Sequence, residues 1–358
     1  MSKVLILDCK DYNDVDKEIG KVFEEFPNQW NGKKILLKPN ILNSRPPERG
    51  NTTHPSIIRS AVRWLTDAGA QVIVGDNSGS MGPKSNEACA EKTGIADASM
   101  GCYTNISQDP ITVETESRFT KQFVVSKAIM DADMVISLPK FKTHSLTLIT
   151  GAIKNSFGYL VGGEKQRIHA ISGSYKNFAE IIVDIYQIRI PDLVIMDAII
   201  GMEGNGPSSG NLRHIGKIIA SDDGIAVDAV MATMMGKKPE KIHMLKVASQ
   251  RKLGEIDISK MNIIGELKEI KGFKMPSTFI CQVAGKLVNN RISGIFFQYK
   301  PAVKEDKCKG CGICAQSCPV NAIDMVDKVP LINRKLCIRC YCCQELCPSD
   351  SIELKRLT

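Results

Sequence analysis

The amino-acid sequence predicts an α/β protein with a mainly parallel sheet covered by helices on both faces, followed by a small α+β domain. Three observations lead to this fold class. Short β-branched runs alternate with helical patterns through residues 1–270. Each apolar run has the length of a buried strand and ends in a polar loop marked by glycine or proline. Eight of the 13 cysteines stand in metal-ligand spacing within residues 308–347.

The first predicted unit is a helix between two strands. The strands are the runs "KVLIL", from residue 3, and "KKILLK", from residue 33. The helix between them repeats apolar side chains at the spacing of an amphipathic helix. Those side chains belong to Val15, Ile19, Val22, Phe23 and Phe26. A second helix has Thr53 as its N-cap, Pro55 in its first turn and Gly69 as its stop.

Four further apolar runs complete the predicted sheet, and they are "QVIVGD", "ADMVISLP", "PDLVIMD" and "GKIIASDD". Strands that alternate with helices form βαβ units, so we expect the sheet to be mainly parallel. We assign residues 1–270 to this α/β domain. Residues 271–300 read as a connector, and residues 301–358 form the small domain.

The small domain carries one cysteine pattern twice. Both runs read C-x2-C-x2-C-x3-C-P, and the second begins 29 residues after the first. Bacterial ferredoxins with two 4Fe–4S clusters have this spacing, and the fourth cysteine of each run ligates the other cluster. The first cluster set is therefore Cys308, Cys311, Cys314 and Cys347. The second cluster set is Cys337, Cys340, Cys343 and Cys318.

Zinc is the alternative for these cysteines, but two C-x2-C pairs satisfy zinc without the C-x3-C-P ending. Cys342 is an extra thiol, which we interpret as an ordinary loop residue. Each cysteine run is followed by a pattern for a short helix and a small hairpin. Because a module of fewer than about 70 residues has a thin apolar core, we expect the clusters to supply its missing cross-links.

Polar side chains follow the predicted strands at their carboxyl ends, where ligands bind in open α/β sheets. We expect these ends to converge on one crevice. The residues expected to bind a small anionic substrate or cofactor there are Lys38, Asn40, Lys140, Lys142, Lys154, Asn155 and Asn205. The candidate catalytic acids and bases are His144, Glu203 and Asp76.

Lys140, Lys142 and His144 alternate along an extended segment, so we expect all three side chains on the same side. Solvated loop residues are the alternative interpretation. The loop of Glu203 and Asn205 is rich in glycine. It matches neither the dinucleotide fingerprint nor the nucleotide-binding loop, so a plain turn is its alternative.

The amino-acid composition limits the classes of binding partner that we expect. The formal net charge is +8, but aromatic residues make up only 6% of the chain and do not interleave with basic clusters. We therefore expect an anionic small molecule and no nucleic acid. The longest apolar stretch is interrupted by charged residues and a proline, and the sequence opens without a signal-peptide pattern. We expect a cytoplasmic protein with no membrane partner.

Several strings of the sequence resemble domain-of-unknown-function family 362, in the version fused to a C-terminal two-cluster ferredoxin. The strings are "LLKPN", "THP", "VIVGDNSG", "LPKFKTH", "GAIKNSFG", "MDAIIGMEGNGPSSG" and "DDGIAVDAV". The resemblance covers roughly residues 30–265 and 301–358. It implies an iron–sulfur protein of anaerobic or microaerobic metabolism, and it implies no catalytic residues.

The leading hypothesis is an iron–sulfur oxidoreductase, a reductase with two 4Fe–4S clusters. Electrons from a donor such as a ferredoxin or a reductase would pass to an anionic acceptor in the crevice. A flavin would serve for hydride chemistry, but no flavin motif is visible. The alternative is a non-catalytic electron carrier or partner subunit whose α/β domain is a docking surface. A third hypothesis is a non-redox ligand-binding or isomerising domain with structural clusters.

Overall fold

A computed structural model of the chain describes residues 1–80, 82, 84–279, 282 and 299–356. In chain order its strands are β1 (Lys3–Asp8), β2 (Lys34–Pro39), β3 (Gln71–Val74), β4 (Pro110–Glu114), β5 (Gln122–Ser126), β6 (Met134–Leu138), β7 (Lys140–His144), β8 (Leu148–Thr150), β9 (Leu193–Glu203), β10 (Asn211–Ser221), β11 (Asn262–Ile264), β12 (Tyr299–Val303), β13 (Ile323–Val326), β14 (Val329–Ile332) and β15 (Ile352–Arg356).

The α-helices among the described residues are α1 (Val15–Glu25), α2 (Pro55–Asp67), α3 (Ser85–Lys92), α4 (Ile95–Ala98), α5 (Lys127–Asp131), α6 (Ala152–Asn155), α7 (Glu164–Ser172), α8 (Tyr175–Ile188), α9 (Gly224–Met234), α10 (His243–Gln250), α11 (Ile313–Gln316) and α12 (Cys342–Leu346). Short 3₁₀ turns add Pro47–Arg49, Ser156–Tyr159, Pro239–Lys241, Ile258–Lys260 and Glu305–Lys307.

A nine-stranded sheet forms the centre of the α/β domain, in the order β11–β1–β10–β9–β6–β2–β3. Strand β7 also pairs with β9, and β8 pairs with β7. The pairs β2–β3, β2–β6, β6–β9, β7–β9 and β1–β11 are parallel. The pairs β1–β10, β9–β10 and β7–β8 are antiparallel. The predicted mainly parallel sheet is confirmed.

Strand β10 departs from the βαβ pattern, because it is antiparallel to both of its neighbours. The physical reason is the short connection between β9 and β10. A parallel return would need a crossover of a dozen residues or more, whereas a hairpin needs only a few. The run "GKIIASDD" therefore belongs to an antiparallel part of the sheet.

Helices cover both faces of the sheet, and each face has its own apolar core. On β2, Leu36 points to one core, and Ile35 and Leu37 point to the other, because side chains alternate along a strand. Helices α8, α9 and α10 pack on the first face, and α1 and α2 pack on the second. Burial of both faces explains why the central strands are continuous apolar runs.

The small domain consists of two short antiparallel ladders, β12–β15 and β13–β14, with α11 and α12 between them. Most of the predicted connector, residues 271–300, lies outside the described residues, and the boundaries of the three segments stay predictions. Within the described part of the chain, no helix has the length and apolar character that crossing a membrane requires.

Candidate functional site

The carboxyl edge of the sheet meets the small domain at a cavity of about 720 Å³, part of it open to solvent. The α/β domain and the small domain both contribute to its wall. From the α/β domain come Asn40, Asp76, Lys142, His144, Lys154, Asn155, Phe157, Lys165 and His169. From the small domain come Ser317, Cys342, Glu345 and Leu346. The polar strand ends therefore converge as expected, but on a surface that a second domain completes.

Hydrogen bonds from α/β side chains to the small-domain backbone hold the two domains together. Asn43 and Ser208 both donate to the carbonyl of Glu345, at 3.2 and 2.6 Å. The Arg45 guanidinium donates to the carbonyl of Cys347 and to that of Ser208. These bonds fix α12 over the cavity, so the side chains of α12 reach it from a defined direction.

Lys142 lies in the middle of β7 and binds two oxygens. Its Nζ donates to Asn40 Oδ1 and to the carbonyl of Asn51, each at 2.6 Å. Burial, together with the ammonium groups of Lys140 and Lys154, lowers the pKa of Lys142 to about 7. Lys142 and Asn40 thus stand together at the cavity wall, as the sequence predicts.

Lys154 is the cavity cation that lacks a hydrogen-bond acceptor or an ion-pair partner in the described part of the chain. Its Nζ lies 4.1 Å from the ring centroid of Phe157, in a cation–π contact. Burial lowers the pKa of Lys154 to about 8, against the opposing effect of Glu345. An ammonium group with spare donors at a cavity wall can bind an anion.

Helix α6 positions Lys154 through a buried carboxylate. Asp228 accepts hydrogen bonds from the backbone N–H groups of Ala152 and Ile153, at 2.6 and 3.0 Å, and so satisfies the first turn of α6. The close approach leaves no room at the preceding position, because a Cβ on Gly151 would lie 2.0 Å from Asp228 Oδ1.

His144 and Glu345 face each other across the domain boundary. His144 Nδ1 accepts hydrogen bonds from the backbone N–H groups of Leu146 and Thr147, which leaves the proton on Nε2. That Nε2 lies 3.3 Å from Glu345 Oε1. Burial lowers the pKa of His144 well below its usual range, and burial raises the pKa of Glu345 to about 7 although Lys154 and Lys142 oppose this shift.

Asp76 reaches the cavity wall as part of a buried ion pair. Its Oδ1 lies 2.7 Å from the Nζ of Lys38, and its Oδ2 accepts from the backbone N–H of Ile41. Lys38 also donates to Asn155 Oδ1, at 3.1 Å. Asn155 is a cavity residue, but Lys38 lies behind the wall that Asp76 forms. Because Lys38 is neutralised by Asp76, it is a support of the site and not the anion ligand that the sequence predicts.

Lys140 does not join Lys142 and His144 at the cavity, so the expectation that all three share one side is corrected. Its Nζ forms a fully buried ion pair with Asp197, at 2.7 Å, and donates to the hydroxyl of Tyr12. The register of β7 against β9 shifts between Lys140 and Lys142, which ends the simple alternation. Lys140 is therefore removed from the predicted anion-binding set.

Glu203 and Asn205 are also corrected, because both are engaged in holding other segments. Glu203 Oε2 accepts from the backbone N–H of Lys274, at 3.1 Å. Asn205 Oδ1 accepts from the backbone N–H of Ser277, and the Asn205 carbonyl accepts from Gln344 Nε2. Neither side chain lines the cavity. Their glycine-rich loop serves as a structural turn against the small domain.

Sequence reasoning missed several cavity residues, among them Cys342, Glu345 and His169. Cys342 and Glu345 lie inside the second cysteine run, where the ligand spacing draws attention to the neighbouring cysteines. His169 lies on α7, and nothing in the sequence pattern around it distinguishes it from a core histidine. Only the docking of α12 on the α/β domain reveals that the three meet.

The cysteines of each predicted set lie close together. Burial and the neighbouring sulfurs of the first cluster set raise the pKa of Cys314 to about 11. Cys343 is buried beside the three other cysteines of the second cluster set, and its pKa is raised well above the usual value. Backbone N–H groups of Ala322 and Ser351 donate to the sulfurs of Cys318 and Cys347, at 3.2 and 3.3 Å.

Grouped thiols with amide donors fit iron–sulfur clusters, whose irons prefer soft sulfur ligands and whose cysteine sulfurs accept hydrogen bonds. The assignment of each cysteine to a cluster stays a prediction.

Comparison with known proteins adds the following findings. The model of the family "Domain of unknown function (DUF362)" matches residues 35–233, and that of the 4Fe-4S binding domain matches residues 301–324. The thylakoid-associated protein sll1697 of Synechocystis sp. is 34% identical over 231 residues, which cover 62% of this chain and 68% of that protein.

Two solved structures share limited similarity. The lactate racemase apoprotein from Thermoanaerobacterium thermosaccharolyticum has a TM-score of 0.39 at 12% identity, over 64% of this chain and 57% of that one. A protein from Thermotoga maritima has a TM-score of 0.41 at 11% identity, over 68% of this chain and 60% of that one. The chain thus spans less than two thirds of the length of either structure.

The family match covers more than half of the chain, and the cysteine-rich end carries the iron–sulfur motif. The chain therefore belongs to the family DUF362 and has a 4Fe–4S binding domain at its C-terminal side.

Proposed function

We propose that this protein is an iron–sulfur reductase that transfers electrons from two 4Fe–4S clusters in the small domain to an anionic small molecule in the cavity. The observation that carries this proposal is the shared wall of the cavity. Lys142 and Lys154 line it from the α/β domain. Cys342, Glu345 and Leu346, which stand between or beside predicted cluster ligands in the sequence, line it from the small domain.

When bound, 4Fe–4S clusters supply single electrons, often at low potential. Each electron that the bound anion accepts adds one negative charge to it, and two electrons with two protons complete a two-electron reduction. The ammonium groups of Lys154 and Lys142 stabilise the more negative, reduced molecule. The electrons come from an external one-electron donor such as a ferredoxin or a reductase, which is oxidised by the same number of electrons.

The cavity favours an anion with an apolar or aromatic body. Besides its cations, the cavity wall has apolar surface, which comes from Ile41, Leu42, Phe157, Pro207 and Leu346. A flavin and a carboxylate-bearing metabolite both combine negative charge with an apolar body. The experiment below distinguishes them.

Protons for the reduction have a candidate source in the cavity. The Nε2–H of His144 and the carboxyl group of Glu345 lie 3.3 Å apart, and both residues line the cavity. A group within hydrogen-bond reach of both the substrate and a second titratable side chain can pass a proton inward.

The direct test is reoxidation of the reduced protein. Anaerobically purified protein is reduced with dithionite, freed of excess reductant, and mixed with a panel of 2-oxo acids, enoates, phosphate esters and flavin mononucleotide, while the cluster absorbance is followed. We expect recovery of the absorbance with at least one anion. In the Lys154→Met variant its affinity should fall roughly ten- to hundredfold, because a hydrogen bond to a charged group contributes about 1.5–3 kcal/mol.

The matched control is Lys237→Met. Lys237 also lies over an aromatic ring, with its Nζ 5.0 Å from the centroid of Phe279, but it does not line the cavity. Its reoxidation should equal that of the wild type. If no anion in the panel speeds reoxidation beyond buffer, or if Lys154→Met behaves like Lys237→Met, the reductase proposal fails. The electron carrier or partner subunit would then account better for the clusters.

A further inference from the structure

Three side chains from different domains meet at the second cluster set. A ring nitrogen of His169, the sulfur of Cys340 and the sulfur of Cys342 all lie within 4.8 Å of one another. Cys340 belongs to the second cluster set, whereas Cys342 falls outside the repeated ligand spacing. His169 comes from α7 of the α/β domain. The contact therefore reaches from the α/β domain to a predicted cluster ligand.

His169 is held rigidly and has an unused polar atom. Its ring stacks on Phe178 at a centroid distance of 4.4 Å and meets the edge of Phe157 at 5.6 Å. The side chain is 5% exposed, and its Nδ1 has no hydrogen-bond partner in the described part of the chain. A buried polar nitrogen without a partner is costly. A cysteine sulfur beside the same ring offers an acceptor.

Cys342 places a thiol beside the same sulfur. It is 6% exposed, and its sulfur lies within 4.8 Å of the Cys340 sulfur. The direction of a hydrogen bond between them follows from the roles of the two thiols. Cys340 must be a thiolate to bind iron, so it accepts, and Cys342 keeps its proton and donates. Cys342 is thus more than the ordinary loop residue that its place in the sequence suggests.

His169 and Cys342 also line the candidate cavity. The two residues therefore adjoin both the Cys340 sulfur and the space where the acceptor would bind. In the described part of the chain, Cys340 of the second cluster set is the predicted ligand whose sulfur lies within 4.8 Å of polar atoms of two buried cavity residues.

We propose that His169 and Cys342 are positioning residues that donate hydrogen bonds to the Cys340 sulfur and raise the reduction potential of the cluster on the second set. Hydrogen bonds to ligand sulfurs stabilise the extra negative charge of a reduced cluster. The cluster beside the cavity then becomes the electron acceptor for the other cluster and the electron donor to the cavity. This last role rests on the proposed function, whereas the effect on potential does not.

The test is a redox titration of the anaerobic full-length protein, followed by electron paramagnetic resonance without any acceptor. In Cys342→Ala and in His169→Leu, one of the two reduction steps should become harder. At a fixed potential its reduced-to-oxidised ratio should fall about tenfold, which equals about 59 mV for a one-electron couple. The potential of the other reduction step should equal that of the wild type. Cys342→Ser keeps a hydrogen-bond donor, the O–H group. The potential of this variant should therefore return most of the way to the wild-type value.

Iron content decides between positioning and ligation. Cys342→Ala should retain all of its iron, and loss of iron from this variant would overturn the proposal by making Cys342 a ligand. If His169→Leu does not fold, the lowered potential of Cys342→Ala and the restored potential of Cys342→Ser still test the proposal. Wild-type potentials in the alanine variant, or equal shifts of both steps, would also overturn it.

The control for an unrelated buried thiol is Cys89→Ala, since Cys89 is 1% exposed and belongs to α3 of the α/β domain, outside both cysteine runs. Its potentials should match the wild type. The two proposals fail separately. A shifted potential without any acceptor that reoxidises the protein would refute only the reductase function, and reoxidation without a shift would refute only the positioning role.

Discussion

At the scale of residues, the partners of a buried lysine decide what that lysine does. Lys38 and Lys140 each have a carboxylate at 2.7 Å, so their charges are neutralised within the protein. Lys142 binds two neutral oxygens. Lys154 has an aromatic ring against it. Removal of one partner from a buried pair leaves an uncompensated charge, so the paired lysines support structure. Lys154 is the one that gains most from an anionic ligand.

Anion binding in the cavity should weaken as pH rises through about 8. Burial lowers the pKa of Lys154 to about 8, with Lys38 acting in the same direction and Glu345 and Asp76 opposing it. Binding needs the charged ammonium, which is present below this pKa and lost above it. Between pH 7 and pH 9 the charged fraction falls roughly tenfold, and the affinity should follow.

Isothermal titration calorimetry with the anion that reoxidises the protein measures this profile. In Lys154→Met the part of the pH dependence that comes from Lys154 should disappear, which leaves weaker binding and a flatter curve. A wild-type affinity that is unchanged from pH 7 to pH 9 would contradict the role given to Lys154.

At the scale of elements, the segment from Gly151 to Gly158 shows how two glycines shape the site. A Cβ on Gly158 would lie 2.0 Å from Asp76 Oδ1 and 2.7 Å from Lys38 Nζ. Glycine is needed at position 158 because the backbone there lies close to a buried ion pair, and not because its backbone angles are unusual. Helix α6 and the following turn, Ser156–Tyr159, can therefore lie against the end of β2 only with glycine at position 158.

Gly158→Ala should destabilise the protein strongly, because the new methyl group forces Lys38 and Asp76 apart. Loss of one partner from a buried pair costs about 3–5 kcal/mol, and we expect a decrease of this order in the free energy of unfolding. Urea denaturation followed by circular dichroism measures it.

Gly20→Ala provides the comparison for this variant. Gly20 lies inside α1, and no atom stands within 4 Å of the position that an added methyl group would take. Alanine there should raise stability by about 0.5–1 kcal/mol, since glycine is a poor helix former. Equal stabilities of the two alanine variants would show that the ion pair tolerates the extra methyl group.

At the scale of the whole molecule, a large sheet domain supports a small domain that has little core of its own. The buried apolar cluster of the small domain consists of Cys314, Ile323, Ile332, Cys343, Cys347 and Ile352. Half of these side chains are predicted cluster ligands. We therefore expect ligation to supply much of what holds the small domain together, whereas the α/β domain has two extensive cores.

Removal of iron should unfold the small domain and leave the sheet intact. After anaerobic chelation, we expect amide hydrogen exchange to become fast in the β12–β15 ladder of the small domain. It should stay slow in β2, β6 and β9 of the same protein. The reason is that thiols freed from iron no longer cross-link segments distant in sequence. Mass spectrometry of the exchanged peptides measures both regions at once. Retained protection in the small domain would contradict this dependence on ligation.

Sequence alone was sufficient for features that depend on short-range pattern. Apolar periodicity identified the strands and the mainly parallel sheet. The repeated cysteine spacing identified the iron–sulfur domain, and strand ends identified Lys142, Lys154, Asn155 and Asn40 as cavity residues. Each of these inferences needs only residues that are neighbours along the chain, because helices, strands and cluster loops are local structures.

Only the tertiary structure decided which of these residues act together. The meeting of His144 with Glu345, and of His169 with Cys340 and Cys342, joins parts of the chain that lie more than 150 residues apart. Lys140 does not belong to the site, because Asp197, on a neighbouring strand, neutralises it. Such contacts arise when one domain packs on another, and no local pattern encodes which faces will meet. The physical reason is that burial and charge pairing depend on the three-dimensional neighbours of a side chain.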